Sequence, residues 1–131
     1  MLQIGLVAAG SACGGLVRWG VANAAARFLG TAFPYGTMII NVVGSLFLGW
    51  FITVLTDRML MTNILGLRPD ELRLLVAVGF TGAFTTFSTF EYETHSLLRD
   101  GDGMLAFGYV LGSVVLGLIA VRLGVMLART V

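Results

Sequence analysis

The fold class predicted for this chain is an all-α membrane protein with four spanning helices, the third interrupted near its middle. Three observations carry that expectation. Of the 131 residues, 57% are hydrophobic and only 11% are charged, whereas a soluble domain carries roughly 25% charge. That much apolar surface cannot be hidden in a small core, because small domains leave a large share of their surface in water. Second, charge is absent from four long stretches, residues 1–17, 28–56, 74–90 and 103–121. Third, the stretch 74–90 is crowded with glycine and hydroxyl residues. Low charge combined with high hydrophobicity also excludes disorder. A formal net charge of +1 offers no basic footprint for nucleic acid. The single cysteine, Cys13, excludes an intrachain disulfide and a Cys-rich metal motif.

A spanning helix needs about 20 mostly apolar residues to cross a core of about 30 Å. Each uncharged stretch extends into apolar flanks, which places spans near 3–27, 35–56, 70–96 and 104–128. The first link, Phe28 to Pro34, contains Gly30 and Pro34. The second holds Asp57, Arg58, Asn63, Gly66 and Arg68. Pro69, Asp70 and Glu71 then read as a helix start, with proline early and acids in the first turn. The third link, Arg99-Asp100-Gly101-Asp102-Gly103, is a turn cluster. The first residues carry no basic side chain, so a cleavable signal is not expected. The four spans use nearly all of residues 1–131, which predicts a single transmembrane domain with no appended soluble one.

All eight basic residues are arginine. With four spans, Arg58, Arg68, Arg73, Arg122 and Arg129 fall on the side of the termini. Arg27, Arg99 and Arg18 fall toward the other. This positive-inside bias weakly favours cytoplasmic termini. A bias so small also allows insertion in both orientations.

Small residues recur where helices could meet. Gly10-Ser11-Ala12-Cys13-Gly14-Gly15 lies in the first span, and Gly108 and Gly112 lie four apart in the fourth. Such spacing lets backbones approach closely in lipid. Contact with a second copy and contact within one subunit are both open readings. Cys13 fits as a small packing residue, since an apolar setting keeps a thiol protonated.

Polar groups inside the spans are functional candidates by default. Arg18 sits deep in the first span, where a charge costs roughly 2.5–3.5 kcal/mol at the midplane. It either snorkels to an interface or draws anions toward a pathway. Thr37, Asn41 and Ser45 share one face of the second span through four-residue spacing. Asn41 can glue helices together or offer its amide protons to a ligand. In the third span, Gly79-Phe80-Thr81-Gly82-Ala83-Phe84-Thr85-Thr86-Phe87-Ser88-Thr89-Phe90-Glu91 reads as a helix break. Irregular backbone at membrane depth is tolerated only when buried in protein or lining a cavity. Broken helices expose carbonyls to cations and N–H groups to anions, so the break predicts an ion site. Phe84, Phe87 and Phe90 recur every three residues. They pack, or they turn their positive ring edges toward an anion path. Tyr109 and Ser113 place hydroxyls on one face of the fourth span, with Gly117 following at the same interval. Glu91 and His95 are four apart but lack a third ligand, so a metal site there is not expected. No nucleophile–base pair or paired carboxylates share a cavity, which predicts no enzyme.

The residues taken together resemble the Fluc (CrcB-type) fluoride channels. The likeness runs through all four spans: Gly14-Gly15-xx-Arg18, Gly36-Thr37-xxx-Asn41-xx-Gly44-Ser45, and Gly79-xx-Gly82-xx-Thr85-Thr86-Phe87-Ser88-Thr89-Phe90. This resemblance implies a fluoride-selective channel of the bacterial cytoplasmic membrane, built as an antiparallel, dual-topology homodimer in contact with lipid. It implies two fluoride pores per dimer and a central structural Na⁺ on the backbone carbonyls of Gly82 and Thr85. It assigns Phe87, Phe90, Asn41 and Thr37 to the pore, with Tyr109, Ser113 and the hydroxyl of Ser88 as further donors. Arg18 matches the family's first-helix arginine. The family often carries another serine where this chain has Gly117. A rival class is a proton-coupled exporter of the small multidrug resistance type. That class relies on an acidic residue in its first span, and here the first span has Arg18 and no carboxylate. A third class, a non-transporting assembly subunit, would have no need of the polar stripes.

Overall fold

The computed structural model describes residues 1–58 and 66–130. Four helical stretches are long and apolar enough to cross a membrane: Leu2–Leu29, Tyr35–Asp57, Pro69–Arg99 and Gly103–Thr130. The first is α1 (Leu2–Leu29), the second lies in α2 (Tyr35–Arg58), and the fourth is α6 (Gly103–Thr130). At 1.5 Å per residue, the 28 residues of α1 or α6 reach about 42 Å, more than a hydrocarbon core requires. The third span is composite. It consists of α3 (Pro69–Leu72), a π-helical segment Arg73–Thr81, α4 (Gly82–Phe84) and α5 (Phe87–Arg99). Of the predicted second-link residues, Asn63 lies outside the described residues.

The helix ends follow from local chemistry. Gly30 ends α1 at φ 82, donating its N–H to the Ala26 carbonyl at 3.2 Å; that left-handed conformation is cheap for glycine. Pro69 opens α3, and the Glu71 carboxylate reaches back to accept the Arg68 N–H at 2.8 Å. In the third link, Gly101 adopts φ 90 and the Asp102 N–H closes on the Leu97 carbonyl at 2.9 Å. The Arg99 side chain donates to Asp100 at 2.9 Å, and this partner holds the Asp100 carboxyl below its ordinary range.

The spans interleave. α1 packs on the π-helical segment and α4, whereas α5 packs on α6. α2 lies along α6 in the most extensive contact of the molecule and also touches each part of the third span from Arg73 onward. Consequently the third span begins beside α1 and ends beside α6. The π-helical segment was not legible in the sequence. Thr81 Oγ1 donates to the Val76 carbonyl five residues back at 3.0 Å, which suits the wider turn.

Glycine makes the α1 contact. A Cβ on Gly10 would collide with the Leu75 carbonyl oxygen and one on Gly14 with that of Phe80. On the facing segment, a Cβ on Gly79 would stand 2.8 Å from the Val7 carbonyl oxygen and 3.0 Å from the Cα of Gly10. These small residues therefore serve contacts within the chain. Gly15 and Gly108 have open space where a Cβ would go. Much apolar surface is outward, including Trp19, Phe107 and Leu118, as lipid-facing helices require. Buried Phe90, Leu97, Ala106 and Tyr109 form a cluster between α5 and α6, flanked by Phe33 and Met38.

Replacing Gly10 by valine should force α1 away from the third span. Overpacking typically costs about 1–3 kcal/mol, and thermal unfolding in detergent should show a lowered midpoint. Gly15→Val should leave the midpoint unchanged.

Candidate ion pathway

Two residues separate α4 from α5. Thr85 (φ −79, ψ 159) and Thr86 (φ −151, ψ 117) are both extended. Two extended residues end the helical ladder of α4, so the main-chain groups of Thr86 need other partners. Asn41 of α2 supplies them. Its Nδ2 donates to the Thr86 carbonyl at 3.0 Å, and its Oδ1 accepts the Thr86 N–H at 2.8 Å. The two bonds mimic one rung of a sheet and hold α5 against α2. Thr86 also caps α5, its Oγ1 accepting the Thr89 N–H at 3.3 Å. Just before the interruption, the N–H and the hydroxyl of Thr85 both donate to the Thr81 carbonyl, at 3.0 and 2.9 Å.

A cavity of about 300 Å³ opens beside this point, between α2, the interruption and α6. Asn41, Ser45, Phe87, Phe90 and Ser113 are on its wall. The rings of Phe87 and Phe90 lie 5.9 Å apart at 42°. Phe90 is buried, while Phe87 is 73% exposed in the single chain. Ser113 Oγ is buried with no hydrogen-bond partner among the described residues.

A second cavity of about 480 Å³ lies where the first link meets the end of α5, lined in part by Tyr35, Thr37, Tyr92 and Glu93. The Glu93 carboxylate is its most committed group. Thr37 Oγ1 donates to one oxygen at 2.8 Å and the Tyr109 hydroxyl to the other at 2.7 Å. Such charge-assisted bonds are short and strong. The Tyr109 ring has no exposed surface. It meets Phe90 at 5.1 Å and Phe33 edge-on at 5.5 Å. Thr37 and Asn41, one turn apart on α2, thus line one cavity each.

The family model described as "CrcB-like protein, Camphor Resistance (CrcB)" matches residues 5–125. The chain belongs to the CrcB family. It is 45% identical over 129 residues, 98% of this chain and 97% of the relative, to a Chloroflexus aurantiacus protein named fluoride-specific ion channel FluC. A protein of the same name from Magnetococcus marinus is 40% identical over 130 residues, covering 99% of this chain and 100% of its own length. Another from Geobacter metallireducens is 42% identical over 129 residues, 98% of each chain.

In this CrcB chain the expected site residues fall into groups. Asn41, Phe87, Phe90 and Ser113 meet at the first cavity. Thr37 and Tyr109 meet at Glu93 instead. Ser88 is exposed on α5 and is not on the wall of either cavity. Gly82 is exposed and Thr85 half-buried at the end of α4, and Arg18 is half-buried on α1 away from both cavities. Glu91 and His95 are exposed, and among the described residues no three metal-ligating side chains cluster. Glu93 lies outside the motif that carries the family resemblance. Its signal was present: it sits three residues after Phe90 and four before Leu97, and both of those are buried, so it belongs to the inward face of α5.

The double bond from Asn41 predicts a large effect of its loss. Asn41→Ala leaves a buried N–H and carbonyl of Thr86 unpaired, each costing about 1–3 kcal/mol. Thermal unfolding of the purified protein should reveal that loss. Asn41→Asp keeps the acceptor for the Thr86 N–H but turns an acceptor oxygen toward the Thr86 carbonyl, so it should lower the midpoint as well.

Proposed function

We propose that this chain is a fluoride channel that lets the anion leave the cell passively and so protects it from fluoride. The observation that carries the reading is full-length similarity, at 40 to 45% identity, to proteins named fluoride-specific ion channel FluC. The chain is a multi-pass membrane protein with four spans, and its chemistry is transport and not catalysis. The proton-coupled exporter is disfavoured because α1 carries Arg18 and no carboxylate.

Fluoride is small and holds its water strongly, so a selective path must replace that water with donors. The Ser113 hydroxyl, on a cavity wall and without a partner among the described residues, suits that role. The neighbouring edges of Phe87 and Phe90 are weakly positive and supply attraction without tight capture, as conduction requires. Thr37 and Tyr109 have their protons engaged by Glu93. Fluoride therefore reaches those hydroxyls only in exchange with the carboxylate. Arg18, on α1 away from both cavities, would act on the anion only at long range through its charge, and Ser88 would meet it only outside the first cavity.

The working unit in this reading is an antiparallel dual-topology homodimer with two pores. The 73% exposure of Phe87 favours it, because a pore phenylalanine needs a second wall. A structural Na⁺ at the dimer centre is part of the same proposal. The residues fit such an ion: Thr85 is extended, so α4 ends beside carbonyls outside the helical ladder, at the negative end of a helix. A Cβ at Gly82 would have only the Ala77 carbonyl oxygen near it, at 3.9 Å, so the surroundings are open. The carbonyls of Gly82 and Thr85 from each subunit would hold the ion. When bound, it supplies a buried positive charge that offsets anion repulsion and joins the two third spans.

Liposomes containing the purified protein test the function directly: fluoride should escape rapidly and chloride should not. Equal rates, or no flux, would sink the channel reading. Phe87→Ile and Phe90→Ile should each slow fluoride efflux while the dimer stays folded; unchanged rates would reduce both rings to packing. Reporters on the C-terminus should be active on both sides of the membrane, and strictly one-sided activity would contradict the antiparallel dimer.

A further inference from the structure

We propose that Ser45 contacts the permeating anion directly, as the partner of Ser113 across the cavity between α2 and α6. The inference rests on the channel reading and deepens it by naming where a dehydrated anion is held. A bare anion needs free protons, and most donors at this cavity are already used. Asn41 Nδ2 commits one of its two protons to the Thr86 carbonyl. The hydroxyls of Thr81, Thr85 and Thr86 donate to the Val76 carbonyl, the Thr81 carbonyl and Thr89 Oγ1. Ser113 Oγ has no hydrogen-bond partner among the described residues. Ser45 is on the same wall, is half-buried, and joins none of the side-chain hydrogen bonds formed by the described residues. The cavity therefore has two uncommitted hydroxyls, one on each of the two most extensively packed helices.

Their placement is compatible with a shared ligand. Ser45 Oγ stands 3.7 Å from the point where a Cβ on Gly117 would be. Gly117 follows Ser113 by one turn of α6, so the two share one strip of that helix, and Ser45 of α2 faces the strip at Gly117. A Cβ at 117 would therefore sit at ordinary contact distance from the Ser45 hydroxyl, so this position of α6 can carry a small side chain beside it. Two hydroxyls on closely packed helices, lining one cavity, would offer paired donors to a compact, strongly accepting anion.

The test uses the full-length protein in liposomes, with fluoride and chloride efflux as the readouts. Wild-type protein comes first: if it passes no fluoride, or both anions equally, the channel reading itself fails. With wild-type flux in hand, Ser45→Ala should slow fluoride efflux about tenfold or more, the scale of one lost hydrogen bond to an ion. Ser45→Cys nearly preserves volume but offers only a weak S–H donor, and should slow efflux likewise; it carries the test if the alanine variant misfolds. Elution volume and thermal midpoint should stay at wild-type values. Adding Gly117→Ser to Ser45→Ala returns a hydroxyl to the same spot and should recover much of the flux. Wild-type flux in the Ser45 variants, or slow flux that Gly117→Ser leaves slow, overturns the proposal.

Discussion

The two hydrogen bonds between Asn41 and the main chain of Thr86 are the constraint on which the rest of the structure depends. A pair of extended residues at membrane depth leaves polar groups that lipid cannot satisfy. A single side chain from α2 answers both the N–H and the carbonyl of Thr86, at 2.8 and 3.0 Å. Because of it, the third span can stop, turn and restart without exposing bare backbone to hydrocarbon. The direction of α5, the placement of Phe87 and Phe90 and the wall of the first cavity all follow from that anchorage.

The interior is close to saturated with hydrogen bonds, and the saturation carries meaning. Hydroxyls in a low-dielectric setting either bind something or cost free energy. Thr53 and Thr94 donate to carbonyls four residues back, at 2.7 and 2.8 Å, and Thr37 and Tyr109 converge on Glu93. Against that background a buried Ser113 oxygen with no partner among the described residues is an exception that needs a ligand or water to explain it. Selectivity for a strongly hydrated anion is a matter of how few such protons are left free and how rigidly they are held.

Much of this was legible in the residues. Uncharged runs located the spans to within a few residues, because charge is expelled from lipid at high cost. Pro69 and Gly30 marked helix ends through their own backbone limits. Other features depended on long-range contact and could not be read locally. Asn41 could equally have been a ligand donor or glue, and only the position of Thr86 makes it a backbone anchor. Thr37 and Tyr109 fit the description of pathway hydroxyls until Glu93, far from Thr37 in sequence, engages both. Gly10 and Gly14 invited a partner chain, whereas their close approach is to Leu75 and Phe80 of the same chain. The π-helical turns of Arg73–Thr81 have no signature in apolar spacing.

The interleaved packing also bears on how the chain assembles. α1 finds its main neighbours in the first half of the third span, and α2 finds its own in α6. Neither the first hairpin nor the last one holds the larger share of its contacts by itself. During synthesis the early spans must therefore wait in the bilayer, incompletely packed, until the final helix arrives. Tertiary order is then a late, cooperative event, and truncation within α6 would strand α2 and leave the whole bundle loose.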